Sequence, residues 1–148
     1  MTRPLRDIAS RLRSRPGVLV DSNILLDVAT GDPHWADWSA QALTSCAEHA
    51  VLVINPIIYA EVSVRYSTIE ALESALPREL YQRAQLPWEA AFLAAKAFVS
   101  YRKSGGQRNT PLPDFYIGAH AAIAGLALLT RDAQRYRTYF PTVEILSP

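Results

Sequence analysis

The chain has 148 residues, a formal net charge of +1, 49% hydrophobic and 20% charged residues. That is enough chain to bury a core, and the composition is that of a globular protein rather than a disordered one. Cys46 is the single cysteine, which excludes an internal disulfide and fits a reducing compartment. The longest apolar stretch, Ala121 to Leu129, falls short of the ~20 residues of a membrane span.

The first fifteen residues carry Arg3, Arg6, Arg11 and Arg13 around Leu5, Ile8 and Leu12. They read as a loosely held basic arm (residues 1–15) before a single domain over residues 16–148. The apolar run Gly17 to Val20 is too short for a signal-peptide core of ~7–15 residues. The expected location is therefore the cytoplasm, with no membrane contact.

Val18-Leu19-Val20 predicts a buried strand, and Ser22 to Thr30 a short helix ended by Gly31-Asp32-Pro33. Trp35, Trp38, Ala42, Ser45 and Cys46 recur at helical spacing, predicting a helix from Trp35 to His49. Val51 to Ile54 is a second buried strand. Asn55-Pro56 then opens a helix, with Asn as N-cap and Pro in the first turn. Helical patterning continues from Thr68 to Leu76 and stops at Pro77. Another helix runs from about Pro87 to Tyr101 and ends at Gly105-Gly106. The loop Gln107 to Pro111 leads to a helix begun by Pro113-Asp114 and ended by Gly125. Leu126 to Leu129 and Val143 to Leu146 are the remaining strands. Apolar strands separated by helices predict an α/β fold: three α/β/α layers around a mainly parallel sheet of about four to five strands.

Four carboxylates stand at the ends or starts of apolar segments: Asp21, Glu61, Asp114 and Asp132. In a doubly wound sheet, ligands bind beyond the carboxyl ends of the strands, where Asp21 and Asp132 fall directly. Glu61 follows Ile57 by four residues and precedes Val64 by three, so it shares a helix face with apolar side chains. An inward carboxylate needs a partner or a metal, and Arg65 is its one local candidate partner. Unit charges about 4 Å apart repel by ~4 kcal/mol at an effective dielectric near 20, a penalty that a divalent cation removes. An all-oxygen set suits Mg²⁺, with Mn²⁺ as substitute. Such a metal activates water and offsets charge on a phosphorane-like transition state. Zinc fits less well, because His34, His49 and His120 are scattered and Cys46 is alone. Singly, each acid could be an N-cap or a solvated side chain; together, in this strand context, they point to metal-dependent phosphodiester hydrolysis.

Ser22 and Asn23 could orient water or phosphate, and equally serve as turn and cap residues; Thr130 would support Asp132. Asp27 reads as an outer residue. Tyr59, Tyr66, Tyr116 and Phe115 read as core or rim rather than as stacking platforms. The basic stretches 96–108 and 131–137 each read, taken alone, as solvated faces, yet such patches can bind phosphates and offer Arg102, Lys103, Arg108, Arg131 and Arg135 as candidate RNA contacts. No P-loop or G-x-G-x-x-G is present.

Four ordered segments carry a resemblance. They are Val-Leu-Val-Asp21-Ser-Asn-Ile-Leu-Leu, Asn-Pro-Ile-Ile-Tyr-Ala-Glu61-Val, Leu-Pro-Asp114-Phe-Tyr-Ile-Gly-Ala-His-Ala, and Leu-Leu-Thr-Arg-Asp132 with Tyr136 to Pro141. The chain resembles the PIN-domain family, specifically the VapC-like toxins of bacterial toxin–antitoxin pairs. The resemblance implies a Mg²⁺ site at Asp21, Glu61, Asp114 and Asp132, with Asp21 and Asp114 as core ligands. Ser22, Asn23 and Thr130 would assist. It implies cleavage of single-stranded or looped RNA, often tRNA or ribosomal RNA, to 3′-hydroxyl and 5′-phosphate ends, a cognate antitoxin that pushes a segment into the acidic site, and a homodimer. The basic arm departs from the family pattern. One rival is a catalytically silent PIN-like RNA- or protein-binding module. A second is an aspartyl phosphotransferase, disfavoured because Asn23 stands where such enzymes want a second Asp.

Overall fold

The computed structural model describes residues 3–105 and 112–148. In chain order the elements are α1 (Ile8–Leu12), β1 (Val18–Val20), α2 (Ser22–Thr30), α3 (Ala36–Ala47), β2 (Leu52–Ile54), α4 (Pro56–Ser63), α5 (Ile69–Ala75), β3 (Tyr81–Arg83), α6 (Trp88–Lys103), α7 (Leu112–Ala124), β4 (Ala127–Leu129), α8 (Ala133–Arg137) and β5 (Ile145–Leu146). The strands form one sheet of order β3-β2-β1-β4-β5. Every pairing is parallel, with Val18 opposite both Leu52 and Ala127. β1, β2 and β4 are buried throughout. Strands covered on both faces need apolar side chains pointing both ways, which is why they read as unbroken hydrophobic runs. Helices on both faces complete the α/β/α layers.

β1 is the central strand. The chain leaves it toward β2 and β3 on one side and returns to β4 and β5 on the other. The order therefore reverses between β1 and β4, and the crevice beyond their carboxyl ends is the switch point of the sheet.

Local chemistry sets the element ends. Asn55 is the N-cap of α4: its side chain accepts the Ile58 amide at 2.9 Å, and Pro56 holds the first turn. Gly31 closes α2 in the left-handed conformation at φ 61°, and Gly125 takes φ 69° after α7. Thr68 caps α5 through the Ala71 amide, so the helical stretch around residues 56–76 is two helices rather than one. Where α7 meets the segment after α8, Gly118 admits the Phe140 ring so closely that a Cβ would lie 2.4 Å from two of its carbons.

Two features depart from expectation. Residues 3–15 are not loosely held: Ile8 and Leu12 are buried in the core, and the Trp38 indole donates to the Arg3 carbonyl at 2.9 Å. Arg11 pairs with Glu144 and donates to the Ile145 carbonyl at 2.7 Å. The Leu5, Ile8 and Leu12 stripe gives this helix an apolar face to bury, and burial outweighs the mobility of a basic arm. The second is β3, whose Tyr-Gln-Arg carries one buried, one exposed and one half-buried residue. It is an edge strand recruited by β2 rather than by its own hydrophobicity. The expected loop Gln107 to Pro111, with Arg108, lies outside the described residues.

Candidate metal centre

Asp21 follows β1 directly, and its amide donates to the Leu129 carbonyl of β4 at 2.9 Å. It occupies the N-cap position of α2 but its side chain makes no cap bond. Instead the carboxylate reaches across the switch point. Oδ2 accepts from Thr130 Oγ1 at 2.8 Å and from the Tyr136 hydroxyl at 2.9 Å. Asn23 Nδ2 and Ser22 Oγ lie farther off, both at 3.5 Å. Asp21 is 4% exposed. Burial raises its pKa above the ordinary carboxylate value, and the Thr130 and Tyr136 hydrogen bonds only partly offset that.

Glu61 enters from α4. Ser22 Oγ donates to its Oε1 at 3.1 Å, which bridges the two acids because the same hydroxyl stands beside Asp21. Arg65 makes no ion pair with it among the described residues. Partial burial raises the Glu61 pKa, Ser22 lowers it, and the charges of Asp21 and Asp114 raise it again. Asp114, in the first turn of α7, is buried. Its pKa is raised by burial, against the pull of Arg135, and by repulsion from Asp21 and Asp132. Three carboxylates from three elements thus have their ionisation disfavoured, chiefly by burial, and at Glu61 and Asp114 by neighbouring charges as well.

Asp132 lies beyond β4 at the head of α8. Its amide donates to Thr130 Oγ1 at 3.0 Å. Arg135 bridges the outer acids: Nη1 lies 2.6 Å from Asp114 Oδ2, and Nε 3.2 Å from Asp132 Oδ2. One cation thus joins two of the four carboxylates, Asp114 of α7 and Asp132 beyond β4.

The PIN domain family model matches residues 18–141. This chain belongs to the PIN domain family. All four acids fall inside the matched segment, and α1 lies before it. No curated protein matches the sequence. Among solved structures, this PIN domain resembles a chain of VapBC2 from Rickettsia felis bound to a DNA fragment from their promoter, with TM-score 0.66 and 16% identity over 86% of this chain and 96% of that one. A chain of VapBC-1 from nontypeable Haemophilus influenzae gives 0.65 and 18% over 88% and 96%. A toxin–antitoxin complex from Klebsiella pneumoniae gives 0.64 and 23% over 86% and 95%. At these identities the likeness is one of fold.

Within this PIN domain Thr130 is the hub of the site. Its hydroxyl is fully buried, donates to Asp21, and accepts from the Asp132 amide and from Asn23 Nδ2 at 3.3 Å. Asn23 Oδ1 in turn accepts the Arg131 amide at 3.3 Å. Ser22, Asn23 and Thr130 are therefore joined to the acids. Asp27 stands apart from the four acids, in keeping with an outer role. It is 3% exposed, grips Arg131 at 2.6 and 3.0 Å, and accepts from Ser39 at 2.8 Å. Arg131, whose guanidinium also lies 5.1 Å from the Trp35 ring centroid, is held away from the acids. Arg102 and Lys103 are exposed at the end of α6.

Sequence reasoning missed Tyr136, whose phenol pKa is pushed well up by burial and then by the neighbouring carboxylates. Its signal was weak: a tyrosine four residues after Asp132, one helical turn away. His120 was also passed over as a polar core residue. Its Nδ1 takes the Asn55 amide at 2.9 Å, and burial lowers its pKa, so the ring is neutral and secures the α4 cap to α7.

The residues fit a hard divalent cation. Among the described residues, no three His, Cys, Asp or Glu side chains already form a closed ligand set, and Arg135 contacts both Asp114 and Asp132. The donor set is all oxygen, and burial, joined at Glu61 and Asp114 by repulsion from neighbouring carboxylates, raises these pKa values, a cost that a cation relieves.

Proposed function

We propose that this PIN domain is a Mg²⁺-dependent endoribonuclease, the toxin of a toxin–antitoxin pair, acting on tRNA or ribosomal RNA. The observation that carries the reading is the convergence of Asp21, Glu61 and Asp114, with raised pKa values, beside Asp132 at the β1/β4 switch point. Asp21, Asp114, Asp132 and Glu61 would hold Mg²⁺, or Mn²⁺ in its place. When bound, the ion activates water and offsets charge on the phosphorane-like transition state and the leaving oxygen. Thr130 and Tyr136 fix the rotamer of Asp21 through its Oδ2. Ser22 holds Glu61, which would bind or position the attacking water. Arg102, Lys103, Arg108 and Arg135 contact the RNA backbone, giving salt-sensitive binding. Arg131, clamped to Asp27, fits a structural role better than an RNA contact.

The structural neighbours support an antitoxin partner, since they come from VapBC and toxin–antitoxin assemblies. The homodimer has a candidate surface on α6, where Trp88, Phe92 and Val99 form an exposed stripe. Among the described residues no helix is long and apolar enough to cross a membrane, in keeping with a cytoplasmic nuclease.

The test uses purified wild-type, Asp21→Asn and Asp114→Asn proteins on total bacterial RNA, with Mg²⁺, Mn²⁺ or EDTA. Discrete metal-dependent cuts with 5′-phosphates, absent in both variants while their folds survive, are expected. Cleavage at the parent rate by either variant refutes the assignment. No cuts by metal-loaded, antitoxin-free protein would leave the catalytically silent binding module.

A further inference from the structure

On the α8 side of the acids lies a cleft of about 270 Å³ lined by Tyr101, Phe115, Asp132, Gln134, Arg135 and Tyr139. It shares Asp132 and Arg135 with the acid cluster, so the two are continuous. Its aromatic walls come from three elements: Tyr101 from α6, Phe115 from α7, and Tyr139 from the turn after α8. The rings meet at angles rather than in a stack. Tyr101 and Phe115 have centroids 5.5 Å apart, Phe115 and Tyr139 5.6 Å, and Tyr101 and Tyr139 5.9 Å. Phe115 is buried and forms the floor, while Tyr101 and Tyr139 are half-buried and Gln134 and Arg135 exposed at the rim. Arg102 and Lys103, exposed, follow Tyr101 on the same helix.

We infer that this cleft is a nucleobase subsite, seating one unpaired base of the RNA beside the scissile phosphodiester. The inference rests on the nuclease reading above and deepens it by naming what lies next to the reacting bond. Three properties carry it. Aromatic faces at a wetted rim suit a flat π-system with polar edges, because every base has a π-face that stacks on an aromatic side chain. The Gln134 amide offers a donor and an acceptor to a base edge. The space is smaller than the ~300–1,000 Å³ of a drug-sized site, in keeping with one ring system rather than a whole nucleotide. Arg102 and Lys103, exposed and next to Tyr101 in the chain, offer positive charge to the phosphates of such a strand. Reading a splayed base in an aromatic pocket is the usual way proteins recognise single-stranded RNA.

The experiment measures binding and cleavage separately. Fluorescence anisotropy with the Asp21→Asn protein compares labelled oligoadenylate, oligouridylate and a ribose-phosphate oligomer of the same length lacking bases. A base-bearing oligomer is expected to bind roughly 5–150-fold tighter than the abasic one, the worth of one stacked base. Adding Tyr139→Leu removes that difference, and Tyr139→Phe restores it. Gln134→Ala, at the exposed rim, changes the ratio between oligoadenylate and oligouridylate without disturbing the fold. Circular dichroism melts establish that each variant is folded. Equal affinity of the parent for base-bearing and abasic oligomers overturns the inference and leaves the cleft to a protein side chain. A base preference untouched by both Tyr139→Leu and Gln134→Ala overturns it too. Wild-type cleavage of total RNA is scored independently: cutting without base preference retains the nuclease and removes the subsite, and base preference without cutting does the reverse.

Discussion

Arg131→Gln tests whether Arg131 is structural or a nucleic-acid contact. In the wild type its Nε and Nη2 grip the two oxygens of Asp27 at 2.6 and 3.0 Å, a fork-to-fork pair. The Asp27 side chain is 4% exposed and that of Arg131 29%. Two opposite charges ~4 Å apart are worth ~4 kcal/mol at an effective dielectric near 20. Removing one partner of a buried pair typically costs ~3–5 kcal/mol. Water reaches Arg131 from one side, and Ser39 still donates to Asp27, so the expected loss is about 3 kcal/mol, near the low end of that range. For a domain of this size that lowers Tm by roughly 6–12 °C. Asp27→Asn should rescue part of it, because the double variant no longer buries an unpaired charge. Thermal melts of the four proteins of the cycle provide the assay, with RNA anisotropy on the same samples. A melt within about 2 °C of the parent, or a loss of RNA affinity without loss of stability, would refute the reasoning.

Tyr136→Phe removes one donor from Asp21 and should lower cleavage about tenfold or more, with RNA affinity unchanged; single-turnover rates against RNA concentration separate the two. Arg135→Gln deletes the cation between Asp114 and Asp132, so calorimetry should find tighter Mn²⁺ binding together with a lower metal-free Tm. Asp21, Glu61 and Asp114 all have folded pKa values above their unfolded ones. Their stabilising contribution is present below the ordinary carboxyl range and lost as pH rises through the raised values. Metal-free protein should therefore melt higher in mildly acidic buffer than at neutral pH, and Mn²⁺ should flatten that slope; a metal-free Tm that climbs toward neutrality would contradict the repulsive cluster. Gly118→Ala forces the Phe140 ring to move and should destabilise by ~1–3 kcal/mol in a denaturant titration.

The four acids could be singled out as a candidate site in the sequence because each sits beside an element that announces itself. Asp21 closes a run of Val and Leu, Glu61 shares a face with Ile57, Asp114 opens a Pro-led helix, and Asp132 follows Leu-Leu-Thr. Periodicity and caps are local signals, and so is the inference that strand ends converge. What escaped was non-local. Arg131 and Asp27 are 104 residues apart, and Tyr136 and Asp21 are 115 apart. Nothing in either segment announces its partner. Arg131 looked like a phosphate contact because an arginine next to a site acid is ambiguous until its own carboxylate is found. β3 escaped because its polar residues carry no strand signal without β2 alongside. α1 was misjudged because its arginines outweighed three apolar residues whose burial depends on Trp38 and the last strand.

The strand order also governs when the molecule becomes complete during synthesis. β1 emerges early from the ribosome, but one of its two neighbours is β4, more than a hundred residues later. Until that strand has been made, Asp21 lacks Thr130, Tyr136 and the bond from its own amide to Leu129. The docking of α1 comes later still, since Arg11 waits for Glu144 and Ile145. A translating ribosome therefore carries a chain with scattered carboxylates, and product truncated before β4 lacks Thr130, Asp132, Arg135 and Tyr136. The full set of contacts around Asp21 is a property of the nearly finished chain alone.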